Sequence, residues 1–370
     1  MYVSNILKRE NNNLDFIRLL TALMVVWYHA HTHFPDSFPH MPIMHPRVLD
    51  LGPLAVCIFF FISGLLVTNS LLTKKEAVPF VISRFFRIYP AYIVMLILCV
   101  FVLGPIFTTL STLDYFSSHQ TWSFFLKNAV LNIQGQLPGV WEDMPQKQIN
   151  VSIWTIPFEV TCYIIVLFGF ILHRKFKLSH WVIVIPALIM AFLPKELSKA
   201  VLQFGYIFFE RPHFFCFVIG TLFAIYKDKI KIDKTIVFSL ILLTVVFYHW
   251  VSVIEFLFPI TVAITLLYCS SVKPILGWRL PHDISYGIYI FHDTIMQIVC
   301  NNGLAHTWLV CFFITAVITI PVAYLSARFI EEPALLLAKK LSAKKYPIAN
   351  NGILVLGVFA VAILIAKFCY

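Results

Sequence analysis

Charge is what this sequence lacks most. Only 12% of its residues are Asp, Glu, Lys or Arg, whereas soluble domains average about 25%, so a water-soluble globular chain is excluded. C-x-x-C pairs are also missing. Eight cysteines, at 57, 99, 162, 216, 269, 300, 311 and 369, sit singly in or beside apolar segments. No zinc or disulfide framework is visible, and membrane-core packing accounts for them. No internal repeat and no low-complexity linker divides the chain. A cleavable signal peptide is not expected, because the first apolar run holds Arg18 and lacks a small-residue cleavage site.

What is present is hydrophobicity: 60% of the 370 residues, with a mean hydropathy of +0.85. Several runs are long enough to cross a bilayer. The expected fold is an all-α polytopic membrane protein with about eleven transmembrane helices, near 14–34, 51–73, 80–104, 151–172, 180–193, 202–226, 235–251, 254–270, 284–301, 306–330 and 352–368. The long connection 105–150 contains an amphipathic piece, TWSFFLKNAVLN, expected to lie along the membrane surface. Basic residues collect in alternate connections. With the N-terminus inside, twenty of the 28 Lys and Arg fall in cytoplasmic segments and six in outer ones, which predicts a cytoplasmic N-terminus and an outer C-terminus. The net charge of +10 is thus spread in short clusters between spans, and no nucleic-acid partner is expected.

Against this apolar background, ionisable residues inside spans stand out, since a charge at bilayer depth costs a few kcal/mol or more. The first run, LDFIRLLTALMVVWYHAHTHF, carries Asp15, Arg18 and His29. Arg18 and His29 are eleven positions apart, within about 20° of three full turns, so they share one helical face about 16 Å apart along the axis, and Asp15 joins the stripe. Two readings fit: a buried Asp–Arg pair with an interfacial histidine, or a polar track through the membrane. The third span opens SRFFRIYP, with Arg84 and Arg87 on one face near the inner surface. They serve either as cytoplasmic anchors or, with Arg18, as a guanidinium cluster suited to phosphate. Glu159, in VSIWTIPFEV, lies about 12 Å below its span's outer end, where an unpaired carboxylate is costly and a histidine is a natural partner. Glu210, Arg211 and His213 fall in span six, where neutralisation within the bundle explains the charged pair. His292 and Asp293 lie mid-span in ISYGIYIFHDTI; a satisfied core histidine and a chemical role are both open. Histidines 29, 31, 33, 40 and 45 do not make a metal site, because helical neighbours two apart point about 200° apart and 33–46 is a proline-broken loop.

Taken in order, these segments resemble the acyltransferase-3 family of integral membrane O-acyltransferases, which modify bacterial surface and secreted glycans. The resemblance rests on LDFIRLLTALMVVWYH, with its arginine, ten residues and histidine, and on FFFISGLL, SRFFRIYPAY, WTIPFE, RPHFFCFVIG, ISYGIYIFH and RFIEEP. It spans nearly the whole chain. It implies transfer of an acyl group, most often acetyl, from acyl-coenzyme A to a sugar hydroxyl of a polysaccharide, lipopolysaccharide or similar glycan. It implies His29 as the catalytic histidine and Arg18, Arg84 and Arg87 as donor-binding. Asp15, Tyr89, Trp154, Arg211 and His292 are expected to line the cavity or meet the acceptor. The implied organisation is a transmembrane domain over 1–335, a cytoplasmic basic loop at 336–351 and an additional C-terminal helix within 352–370. The fused extracytoplasmic esterase-like domain of many members is not expected here.

The expected mechanism is acyl transfer across the membrane. Phosphates of the donor sit on the arginines, the pantetheine arm climbs the polar stripe, and His29, oriented by a carboxylate such as Glu159, acts as general base on a hydroxyl arriving from outside. A covalent acyl-histidine relay is a second route. Expected partners are acyl-CoA, a glycan or lipid-linked sugar, and the lipid of the plasma membrane (the inner membrane in a Gram-negative cell), with no tightly bound cofactor. Competing classes are a proton-coupled transporter, for which intramembrane charge is equally apt, and an acyltransferase for a cytosolic small molecule.

Overall fold

The computed structural model describes residues 1–34, 50–192 and 211–343. The expected eleventh span at 352–368, residues 344–351 of the basic loop, the start of the sixth span at 202–210, His40, His45 and the Arg211 side chain lie outside what is described. Among the described residues, leaving aside helices of six residues or fewer, twelve α-helices set the frame: α1 Leu14–His33, α2 Leu51–Lys74, α3 Ala77–Leu98, α4 His119–Ala129, α5 Ile156–Phe176, α6 Trp181–Phe192, α7 Arg211–Ile225, α8 Lys234–Val246, α9 Val251–Ser270, α10 Ser285–Asn301, α11 Trp308–Ser326 and α12 Glu332–Ser342. Two isolated bridges, Tyr2 with Lys231 and Thr108 with Val140, are the only extended pairings among the described residues. The fold is therefore all-α, as the apolar runs predict.

Among the described residues, five helical stretches are long and apolar enough to cross a membrane: Leu51–Lys74, Ala77–Phe107, Ser152–Phe176, Val251–Ser270 and Trp308–Ser342. Pro212–Ile225 and Lys234–Val246 are apolar but shorter. Neither α1 nor α10 belongs to the five. They are the helices that carry Asp15, Arg18, His29, His292 and Asp293, and those residues lower their hydropathy. Large side chains lie bare along the others, including Phe101, Val102 and Ile106 beyond α3 and Phe313, Val317 and Leu325 on α11. Such outward apolar faces are what a helix presents to lipid. The chain is an integral membrane protein with several spans.

Two compact units share the described residues: 1–25, 50–77, 158–192 and 211–281 in the first, and 26–34, 78–157 and 282–343 in the second. The first is organised by α2 and α7. A Cβ on Gly64 would stand 2.1 Å from the Phe217 carbonyl oxygen, and one on Gly220 would stand 2.1 Å from that of Phe61. Only glycine lets two backbones approach so closely, as at small-residue crossings of membrane helices. Thr68 donates to Thr221 across the same crossing, at 3.1 Å.

The second unit contains α3, α4 and the α10–α11 hairpin. Helix α3 continues through a π-helical segment, Cys99–Leu103, into Gly104–Phe107. Helix α4 realises the amphipathic piece. It buries Thr121, Phe124 and Asn128 and leaves Trp122 and Leu126 exposed, a surface fit for a membrane interface. Helix α11 passes through a second π-helical segment, Ala327–Glu331, into α12.

Candidate active site

Four side chains converge in the second unit. His29 comes from α1, His292 and Asp293 from α10, and Ser152 from the single 3-10 turn Ser152–Thr155 that precedes α5. This turn is fixed to α10 by several hydrogen bonds. Asn150 donates to the Ile290 carbonyl at 2.7 Å and to Thr294 at 3.0 Å. Tyr289 donates its hydroxyl to the Ser152 carbonyl at 3.0 Å and lies 2.6 Å from the Thr155 hydroxyl.

Hydrogen-bond accounting assigns the protons. His292 is fully buried, and its Nδ1 lies 3.0 Å from the Ile288 carbonyl and 2.9 Å from that of Tyr289. Two carbonyls can only accept, so Nδ1 carries the hydrogen and Nε2 of the neutral ring keeps its lone pair. That Nε2 is 3.1 Å from His29 Nδ1 and 3.3 Å from the Ser152 hydroxyl. Asp293 is 2% exposed, and its Oδ1 lies 3.4 Å from the same His29 nitrogen. Its Oδ2 accepts the Val151 backbone N–H. His29 Nδ1 thus faces a carboxylate, an imidazole lone pair and, at 3.3 Å, the Ser152 oxygen. It is the donor in this cluster. The lone pair of the neutral ring is therefore on Nε2, which has no hydrogen-bond partner among the described residues. The two imidazoles stack with centroids 5.1 Å apart, and His29 keeps 14% of its side-chain surface. An oriented, partly accessible imidazole backed by a buried carboxylate is the arrangement that lets histidine take a proton from a hydroxyl. The ligand atoms of His29, His292 and Asp293 lie within 4.8 Å of one another and could meet a cation. The hydrogen bonds account for all three with an Nδ1–H on His29.

The arginines fall in different surroundings. Arg87 on α3 places Nη2 2.6 Å from Asp283 Oδ2 and Nη1 3.8 Å from Glu331 Oε2. Asp283 is held by Ser285, through its backbone N–H and its hydroxyl, and Glu331 accepts from Ser326. Arg84 and Arg18 are half-buried. Arg18 and His29 stand on one continuous helix, as the eleven-residue spacing predicts. Tyr89 stacks on Phe85 at 4.7 Å, and Trp154 is half-buried in the 3-10 turn. Asp15 is half-buried in the first turn of α1.

Glu159 belongs to the first unit, where it accepts hydrogen bonds from the hydroxyls of Ser63 and Tyr163. The carboxylate on His29 is Asp293. Sequence reasoning noticed Asp293 beside His292 but gave it no part, and it passed over Asn150, Val151 and Ser152. They sit where the expected span 151–172 begins, and a backbone N–H and two small polar side chains there make the cluster's hydrogen bonds.

This cluster of two imidazoles, a carboxylate and a hydroxyl lies in a chain with several helices long and apolar enough to cross a membrane. The chain belongs to the acyltransferase-3 family, whose acyltransferase domain it matches over residues 11–328. It is an acyltransferase. It is 26% identical over 337 residues to an O-acetyl transferase of Shigella phage Sf6, covering 87% of this chain and 96% of that protein. It is also 26% identical over 373 residues to Nodulation protein 10 of Rhizobium leguminosarum bv. viciae, covering 92% of this chain and 97% of that one. No solved structure matches.

Proposed function

We propose that this protein is an O-acetyltransferase that moves an acetyl group from cytoplasmic acetyl-CoA to a sugar hydroxyl of a surface or secreted glycan. The observation that carries the reading is the position of His29 Nδ1, 3.4 Å from Asp293 Oδ1, 3.1 Å from His292 Nε2 and 3.3 Å from the Ser152 hydroxyl. The O-acetyl transferase named among its relatives supports acetyl as the group moved.

In this mechanism His29 Nε2 takes the proton of the acceptor hydroxyl as its oxygen attacks the thioester carbon. The tetrahedral intermediate collapses, the carbon–sulfur bond breaks, and the imidazolium returns its proton to the departing thiolate. Asp293 lowers the cost of the imidazolium and holds the ring. His292 keeps the Nδ1 proton of His29 pointed inward.

Arg18, Arg84 and Arg87 receive the phosphates of the donor. Arg87 does so while anchored to Asp283 and Glu331, so its charge is shared and Arg84 carries more of the phosphate contact. The rise of about 16 Å between Arg18 and His29 is of the order of a pantetheine arm. Asp15, Tyr89, Trp154 and Arg211 are assigned to the cavity or the acceptor, and Glu159, which accepts from Ser63 and Tyr163, is kept as a candidate carboxylate. The orientation with the N-terminus inside brings donor and acceptor from opposite sides.

The test is labelled acetyl-CoA supplied to sealed membranes of known sidedness. Label is expected in glycan when the donor reaches the cytoplasmic face. Label that accumulates in the lumen without ester formation would establish a carrier instead. Label on a cytosolic small molecule would reassign the acceptor.

A further inference from the structure

The α10–α11 hairpin holds a second feature, which the acyl-transfer chemistry does not use. Cys300 lies in the last turn of α10 and Cys311 in the first turn of α11. Their sulfurs are 3.3 Å apart. These two are the only cysteines that meet one another among the seven described. Cys311 is fully buried, with its sulfur 4.0 Å from the Thr315 hydroxyl, and Cys300 is half-buried. A bonded pair needs about 2.05 Å, so closing the gap takes just over 1 Å of movement, within reach of small χ1 rotations at two helix ends. The hairpin is already tight: a Cβ on Gly287 of α10 would stand 2.9 Å from Ala323 of α11.

The Lys and Arg distribution places the 302–307 connection outside the membrane, where thiols become oxidised. We propose that Cys300 and Cys311 form a disulfide that staples the outer end of this hairpin. Cys300, the more accessible thiol, loses its proton and attacks a protein disulfide of the extracytoplasmic compartment, releasing one sulfur of that oxidant as a thiol. Cys311 then attacks the Cys300 sulfur of the mixed disulfide and releases the oxidant's second sulfur. Two protons and two electrons leave the pair, and the oxidant departs as a dithiol. Asp293 lies seven residues before Cys300, about 10 Å along α10, so the staple fixes the helix that carries Asp293 and His292.

Mass spectrometry reads this directly, without any measurement of acyl transfer. Full-length protein in native membranes is denatured, alkylated with iodoacetamide without reductant and digested with trypsin. The peptide Leu280–Arg328 contains Cys300 and Cys311 and no other cysteine, lysine or internal arginine. It is expected to carry no carbamidomethyl group and to be two hydrogens lighter than the dithiol. Prior reduction should convert it to the doubly alkylated form. In Cys300→Ser the same peptide should take one carbamidomethyl group at Cys311. A wild-type peptide doubly alkylated without reductant would overturn the proposal. So would a Cys311 that stays blocked in Cys300→Ser, since its partner would then be another thiol.

Discussion

Asp293 and Glu159 are both carboxylates set in apolar helices, and their surroundings differ in kind. Asp293 divides its oxygens between a backbone N–H, from Val151, and the imidazole of His29. Glu159 receives two hydroxyls, from Ser63 and from Tyr163 one turn further along its own helix. A hydroxyl pair satisfies a half-buried acceptor and leaves it aimed at no imidazole among the described residues. A carboxylate pinned by backbone on one side and aimed at an imidazole on the other sets a tautomer. The comparison teaches that a buried acid is read by what it orients, not by its depth.

The comparison is sharpened first by the largest effect. His29→Ala should lower acyl transfer by about 10²–10⁴-fold, with expression and membrane insertion unchanged, as measured by product formation in membranes holding equal amounts of protein. Next comes the third carboxylate setting, where Asp283 and Glu331 grip Arg87. Arg87→Ala leaves the buried Glu331 and the half-buried Asp283 without their guanidinium and should destabilise the protein by about 3–5 kcal/mol, seen as an earlier thermal unfolding transition in detergent. A variant that unfolds like wild type and only binds donor more weakly would leave Arg87 its phosphate role and remove the structural one. Arg84→Ala should raise the KM for acetyl-CoA by about tenfold with kcat little changed, the cost of one charge-assisted hydrogen bond. Unchanged donor affinity would take Arg84 out of the donor site. The smallest effect belongs to Ser152→Ala, which removes one of three acceptors around His29 Nδ1. A loss of about two- to fivefold in kcat is expected, near the low end of a single hydrogen bond.

Much of this was legible in the sequence. Ten of the eleven apolar runs fall on helices among the described residues, α1 to α3 and α5 to α11, and Arg18 and His29 do share one continuous helix. The amphipathic TWSFFLKNAVLN is α4. Periodicity reports which residues share a face of one helix, and it does so well because 3.6 residues per turn is a local property. It is silent on which faces meet. Asp293 and His29 are joined across the chain, as are Arg87 and Asp283, which are 196 positions apart. Asn150 and Ser152 were passed over for another reason: Ser152 opens a short entry turn and Asn150 lies just ahead of it, where neither helical nor strand periodicity applies. Cys300 and Cys311 gave only the signal of two apolar cysteines, and their contact depends on the hairpin turning back within a few residues.

The most direct measurement sets Asp293→Asn beside Glu159→Gln in one acyl-transfer assay, with kcat and both KM values read for each. If Asp293 positions the catalytic imidazole, its amide variant loses about a hundredfold or more in kcat with both KM values near wild type, while Glu159→Gln stays within about tenfold. Full activity in Asp293→Asn, together with collapse in Glu159→Gln, would contradict the account.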